Sequence, residues 1–182
     1  TIDDACGEAF DKVAKHHGFG YPGGVAIDKL ARKGDSSAYA FPNPSLHKGD
    51  HEYDVSYSGL KTAVINQLHQ FKRSPGEEKP EDIAASFEKA AIDLLMRRVR
   101  KALENERLNR LVAGGGVAAN TYFRELAGRM HGIEIYFPSL KLCTDNGAMI
   151  AGLGYHYLKN NITSERSINA FSRVDGFKKT YP

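Results

Sequence analysis

Apolar residues recur along this chain with a period near 3.6, punctuated by glycine and proline, and the pattern predicts a helix-rich protein. Ala5, Ala9, Phe10, Val13 and Ala14 gather on one side of a helix over residues 3–17, which Thr1 can cap and Gly18 stops. Tyr21-Pro22-Gly23-Gly24 reads as a turn opening a short helix that runs to Lys33 and ends at Gly34. Breakers at Pro42-Asn43-Pro44 and Lys48-Gly49-Asp50 make 35–57 an irregular hairpin with short extended pieces such as 53–57. Ser58 can cap a helix striped by Leu60, Val64, Leu68 and Phe71, ending near 72–76. A charged loop over 77–81 precedes a long helix to about Asn105, in which Ile83, Phe87, Ala90, Ala91, Leu94, Leu95, Val99 and Leu103 keep the period.

The pattern changes at Leu111-Val112-Ala113-Gly114-Gly115-Gly116-Val117-Ala118-Ala119-Asn120, which reads as a short buried strand, a glycine turn and the first turn of a helix over 119–130. A second short buried strand over 133–137 follows, so strand, helix and strand predict a right-handed parallel crossover. Pro138 breaks the chain, and Cys143-Thr144-Asp145-Asn146-Gly147 leads into the small-residue apolar helix 148–154. Residues 160–182 have no clear period.

Composition narrows the class without naming a chemistry. Hydrophobic residues at 41% and charged residues at 26% are ordinary globular values, so 182 residues suit one domain or a large piece of one. A net charge of +3 permits an anionic partner without requiring one. Cys6 and Cys143 have no close metal-ligand spacing, which argues against a disulfide framework or a zinc ribbon and favours a reducing cytoplasm. No apolar run is long enough to span a bilayer, Thr1-Ile2-Asp3-Asp4 has no signal-peptide pattern, and the missing initiator Met suggests that upstream sequence was removed.

Several residues are candidates for chemistry, each beside a plainer explanation. Three glycines in a strand-to-helix turn let backbone N–H groups approach a planar or phosphorylated ligand, or simply let the helix pack on its strand. Asn120, just inside the helix, adds an amide that donates and accepts. Asp4, Glu8 and Asp11 share one helix face, either around a common ligand or as a solvated face with Glu8–Lys12 and Asp11–Lys15 pairs. Gly24 can face a ligand through its backbone, with Asp28 close behind it or merely exposed. His47 and His51 have the spacing of a helical metal pair, but Gly49 and Asp50 between them argue for a surface loop. Arg97, Arg98, Arg100 and Lys101 can meet phosphates or stay solvated. Asp145, at a helix N-terminus, can cap that helix or hold a metal or nucleotide against it.

Asp3-Asp4-Ala5-Cys6-Gly7-Glu8-Ala9-Phe10-Asp11-Lys12, Tyr21-Pro22-Gly23-Gly24, Ser58-Gly59-Leu60-Lys61-Thr62, the glycine stretch and Cys143-Thr144-Asp145-Asn146-Gly147, in that order, are far more specific together than singly. The combination closely resembles the tRNA threonylcarbamoyladenosine transferase family, called TsaD in bacteria and once described as an O-sialoglycoprotein endopeptidase. The resemblance spans almost the whole chain but only the C-terminal half of the family's length. It implies an α/β, actin-like or sugar-kinase-like ATPase fold, with residues 1–182 as the C-terminal lobe. It assigns Asp11, Gly24, Asp28 and Asn120 to the nucleotide site, which takes threonylcarbamoyl-AMP or ATP/ADP, and Asp145 to a divalent metal, iron or zinc. The other family metal ligands, two histidines in H-x-x-x-H, belong to the half not present, and that role does not pass to His47 and His51.

The resemblance implies an enzyme that moves the threonylcarbamoyl group from its adenylate to N6 of the adenosine 3′ to the anticodon of certain tRNAs. Implied partners are tRNA, a degenerate paralogue forming a heterodimer, and a P-loop ATPase, with no membrane. An alternative is a nonenzymatic nucleotide-binding or partner-docking lobe. A metalloprotease ranks last, because no H-E-x-x-H is present. By itself the chain is expected to hold no tight metal and transfer no group. Cys143, close to Asp145, could add only a second ligand to a weak site.

Overall fold

A computed structural model describes residues 1–42, 52–73, 78–167 and 169. The chain divides into two compact units, Thr1–Asp145 and Asn146–Pro182.

In the first unit, α1 (Cys6–His17) buries Ala9, Phe10, Val13 and Ala14 of the expected stripe, while Ala5 precedes the helix and is exposed. It starts later than the period suggested, because Thr1 is not its cap. Thr1 Oγ1 instead donates to Val55 O at 3.0 Å, and Glu8 reaches back to the Ala5 N–H at 3.4 Å. Gly18, at φ 72°, ends the helix in the left-handed region that glycine enters without strain. Next comes α2 (Gly23–Ala31), with no side-chain cap of its own at Pro22.

After α3 (Ser58–Arg73), which buries Leu60 and Val64, comes the long α4 (Pro80–Asn105). Leu68 and Phe71 of the expected stripe fall outside the described side chains, and His47 and His51 lie outside the described residues with the 43–51 part of the hairpin expected over 35–57. Pro80 opens α4 where its missing N–H costs nothing, and Glu81 and Asp82 suit the positive end of the helix dipole. Ala84, Ala85 and Ala91 are small and buried, so α2 and α5 can lie close on α4. Phe10 of α1 meets Phe87 of α4 with ring centroids 5.0 Å apart, at the centre of the core.

Then β1 (Arg110–Val112), a 3-10 turn over Gly116–Ala119, α5 (Thr121–Gly128) and β2 (Glu134–Tyr136) follow in order. The strands pair in parallel, with Leu111 opposite Ile135, as the strand–helix–strand spacing predicted. They are not the buried strands expected. Only Leu111 and Ile135 point inward, while Val112 is 77% and Tyr136 52% exposed. Among the described residues the sheet has two strands, so alternate side chains of each strand face away from the core.

The second unit contains α6 (Gly147–Lys159). Asn146 caps it, its Oδ1 accepting from Met149 N at 3.2 Å, so the capping role considered for Asp145 belongs to the next residue. None of the residues of α6 is buried. Among the described residues no helix is long and apolar enough to cross a membrane.

Candidate nucleotide cleft

α1, α2 and the glycine turn meet around a mostly apolar cleft of about 580 Å³. Asp11, Gly24, Asp28 and Asn120 all line it, so four residues singled out separately in the sequence come together. Thr144 lines it too, but Asp145 is exposed and accepts no hydrogen bond among the described residues.

Asp11 is held by the helix it faces. Its Oδ1 accepts from Gly23 N at 2.7 Å, satisfying an orphan N–H of the uncapped α2. That approach requires glycine: a Cβ on Gly23 would stand 2.5 Å from Asp11 Cα and 2.7 Å from Phe10 O. A Cβ on Gly24 would meet nothing within 4 Å. Gly24 therefore presents bare backbone in the first helical turn, where N–H groups lack helical partners, to the open cleft. Gly115, at φ 83°, bends the second glycine-rich wall.

The acidic face expected on α1 does not converge on a ligand. Asp4 takes both Lys12 at 2.9 Å and Lys61, and Glu8 pairs with Lys12 at 2.7 Å. These lysines hold the Asp4 and Glu8 carboxyls below their ordinary range, while Asp11 turns the other way, to α2.

Asn120 is not inside a helix, as its position suggested, but is the cap of α5. Its φ of −62° and ψ of 131° are extended, and its Oδ1 accepts from Phe123 N at 2.8 Å. Its Nδ2 donates to Glu88 Oε1 at 2.5 Å and leans on Asp28 Oδ1 at 3.4 Å. Nor is Asp28 an exposed helix carboxylate. It is 9% exposed, accepts from Thr121 N at 2.7 Å and from Thr121 Oγ1 at 3.2 Å, and pairs with Arg32. Asp28, Glu88, Asn120 and Thr121 thus tie α2, α4 and α5 together on one side of the cleft.

Glu88, Arg32, Thr121 and Arg124 were missed in the sequence. For Glu88 a signal existed, because it interrupts the apolar face of α4 between Phe87 and Ala91. Arg124 left none. Its Nε donates to Ala118 O at 2.7 Å and its Nη2 to Pro138 O at 2.8 Å, with Cys143 Sγ at 3.4 Å and the Phe137 ring 4.6 Å away. One guanidinium therefore fixes the glycine turn to the segment that leads to Asp145.

Neither thiol is a ready metal ligand. Burial pushes Cys6 up to about 11, and Cys143, 2% exposed, is spent on Arg124 and on the Ser139 carbonyl at 3.5 Å. No group of three His, Cys, Asp or Glu able to hold a metal exists among the described residues. Asp145 alone does not fit a tight site, for which about three protein ligands are needed.

Arg124→Leu should destabilise the first unit by about 2–3 kcal/mol, since it strands the Ala118 and Pro138 carbonyls. Arg124→Lys should recover only part of this, lacking the fork. Chemical denaturation measures both, and wild-type stability in the leucine variant would remove Arg124 from this role.

Helices on a parallel strand pair, with a cleft where a glycine turn joins strand to helix, agree with a partial lobe of the α/β, actin-like or sugar-kinase-like ATPase fold, the fold of the family that the chain matches. A family model described as TsaD, tRNA N6-adenosine threonylcarbamoyltransferase, matches residues 1–152, and the chain belongs to that family. Proteins of that name are similar to it in Treponema denticola (55% identical over 179 residues, 98% of this chain and 53% of the relative) and Borreliella burgdorferi (48% over 182 residues, 100% and 52%). Another, in Borrelia duttonii, is 48% identical over 181 residues, 99% of this chain and 53% of the relative. The chain thus spans about half the length of the curated relatives it matches.

Proposed function

We propose that this chain supplies the nucleotide-facing lobe of a protein that transfers threonylcarbamoyl from threonylcarbamoyl-AMP to N6 of the adenosine 3′ to the anticodon in tRNA. The observation that carries the reading is the cleft, where Gly24 and the glycine turn leave bare backbone beside Asp11, Asp28 and Asn120. Backbone N–H groups receive the anionic part of the adenylate, Asp11 and Asp28 receive ribose hydroxyls, and the apolar wall takes the adenine. Holding the adenylate in one orientation is this lobe's contribution to rate.

In a protein of the relatives' full length, Asp145 would be one of several ligands needed to hold a divalent metal, iron or zinc, whose contribution would be Lewis-acid polarisation of a carbonyl. The partners are tRNA, a degenerate paralogue and a P-loop ATPase, and the setting is the cytoplasm. Mass spectrometry of tRNA nucleosides tests the reading. The chain alone should make no threonylcarbamoyladenosine, and adding the half of the relatives' length that it lacks should restore synthesis. Synthesis by neither would contradict the assignment. A metal held at one equivalent by the chain alone through dialysis against chelator would contradict the expectation that Asp145 alone is too weak a site.

The basic face of α4 is assigned no large part in binding tRNA. Lys101 pairs with Glu52 at 3.1 Å, Arg98 donates to the Glu52 carbonyl at 3.2 Å, and Arg97 to the Asp93 carbonyl at 3.3 Å. Replacing Arg97 and Arg98 together by Glu should change the log–log salt slope of tRNA affinity by less than about one unit. A change of about two units, as two phosphate contacts require, would contradict this.

A further inference from the structure

Glu88 is 6% exposed on the inner face of α4, and nothing in the transfer reading uses it. Buried carboxylates are costly unless something holds them. Glu88 is held by Asn120, whose amide has two possible orientations. Phe123 N–H needs the amide oxygen, which turns Nδ2 toward Glu88 and Asp28. Two carboxylates therefore share one amide donor beside a cleft that Asp28 and Asn120 both line.

The charged groups facing Glu88 are Asp28 and Arg32 from α2 and Glu125 from α5. Arg32 is already paired with Asp28. Burial, opposed by the Asn120 hydrogen bond and reinforced by the charge of Asp28, pushes the Glu88 carboxyl up to about 7.

We propose that Glu88 is a positioning residue that fixes the Asn120 amide beside the cleft and takes up a proton when an anionic nucleotide enters. The proposal rests on the nucleotide reading above. The proton comes from solvent and resides on the Glu88 carboxyl, and no bond to the ligand forms or breaks. The ligand's negative charge disfavours a second ionised carboxylate, so the Glu88 carboxyl titrates higher in the complex than in the free protein. Affinity is then fully present below the free value near pH 7 and is lost as pH rises through the value in the complex. Each unit between those two values amounts to about tenfold in affinity.

Calorimetric titration with ADP, between pH 6 and 9 in buffers of different protonation heats, tests this on the wild type, Glu88→Gln and Glu88→Leu. The wild type should take up as much as about half a proton per site near pH 7 and bind more weakly as pH rises. Glu88→Gln keeps an acceptor for Asn120 Nδ2, so it should bind ADP without the wild type's excess proton uptake, leaving only the pH dependence that the ADP phosphate itself contributes. Glu88→Leu packs in the same space without an acceptor and should bind about tenfold more weakly at pH 6. Equal proton uptake by wild type and Glu88→Gln would overturn the proposal, as would wild-type affinity in Glu88→Leu.

A ligand-free readout separates failure of the nucleotide reading from failure of the Glu88 role. The Asn120 side-chain amide resonances should titrate with a midpoint near 7 in the wild type and stay flat in Glu88→Gln. A flat wild-type profile overturns the Glu88 role by itself. No ADP binding at any pH overturns the nucleotide reading and the proton uptake that depends on it.

Discussion

Gly23→Ala and Gly24→Leu should have opposite effects although the two glycines are neighbours. The alanine Cβ at residue 23 would meet Asp11 Cα at 2.5 Å and Phe10 O at 2.7 Å, both backbone atoms that only a shift of α1 against α2 can relieve. Overpacking of this kind costs about 1–3 kcal/mol, which in a chain of this size lowers Tm by roughly 2–12 °C. At residue 24 a Cβ meets nothing within 4 Å, so stability should stay within about 1 kcal/mol of wild type, helped by leucine's better helix propensity. The leucine side chain would instead occupy the cleft. ADP affinity should fall by about tenfold or more, equivalent to about 1.4 kcal/mol of lost contact. Thermal melts beside calorimetry separate the two effects. Weakened stability with intact binding in Gly24→Leu would mean that the space above Gly24 is not for a ligand.

Asp28→Ala should unfold the chain more readily as well as weaken ADP binding. Asp28 lines the cleft, yet its oxygens accept from Thr121 N, Thr121 Oγ1, Asn120 Nδ2 and Arg32. Arg32 has a side chain 61% exposed and regains water when the pair is broken, so its share of the loss is small. The Thr121 N–H is more enclosed, and stranding it costs about 1–3 kcal/mol, while Asn120 Nδ2 keeps its hydrogen bond to Glu88. Denaturant midpoints measure this directly. An unchanged midpoint with lost ADP affinity would mean that Asp28 serves the ligand alone.

The helices were legible because they obey one-dimensional rules. The stripes of α1 and α4 have the 3.6 period, Gly18 stops α1, and the glycine stretch between two apolar runs announced the parallel strand pair. Asp11, Gly24, Asp28 and Asn120 could be named as a group through resemblance, and the chain does bring them to one cleft. What each one bonds to was not legible. The Asn120 cap of α5 is local, three residues long, but its bond to Glu88 and the burial of Asp28 against Thr121 arise because α2 and α5 both pack on α4, a tertiary fact with no local signature. Asp4 shows the same limit: the i,i+4 rule found Glu8–Lys12, but Lys61, 57 residues away, decides what Asp4 does. The strands misled for the opposite reason. Leu111-Val112-Ala113 is apolar enough for a sheet covered on both faces, whereas in the two-stranded sheet described here Val112 faces outward.

Amide-resolved NMR during titration with ADP tests most directly whether the cleft between α1, α2 and the glycine turn is the nucleotide site. The largest shifts should fall on Gly24, Gly116, Asn120 and Thr144, which come from three stretches of chain and all line the cleft. Shifts concentrated instead on Lys15, Gly18 and Gly20, which line a neighbouring depression beyond Asp11, would contradict that assignment, as would no shift at all.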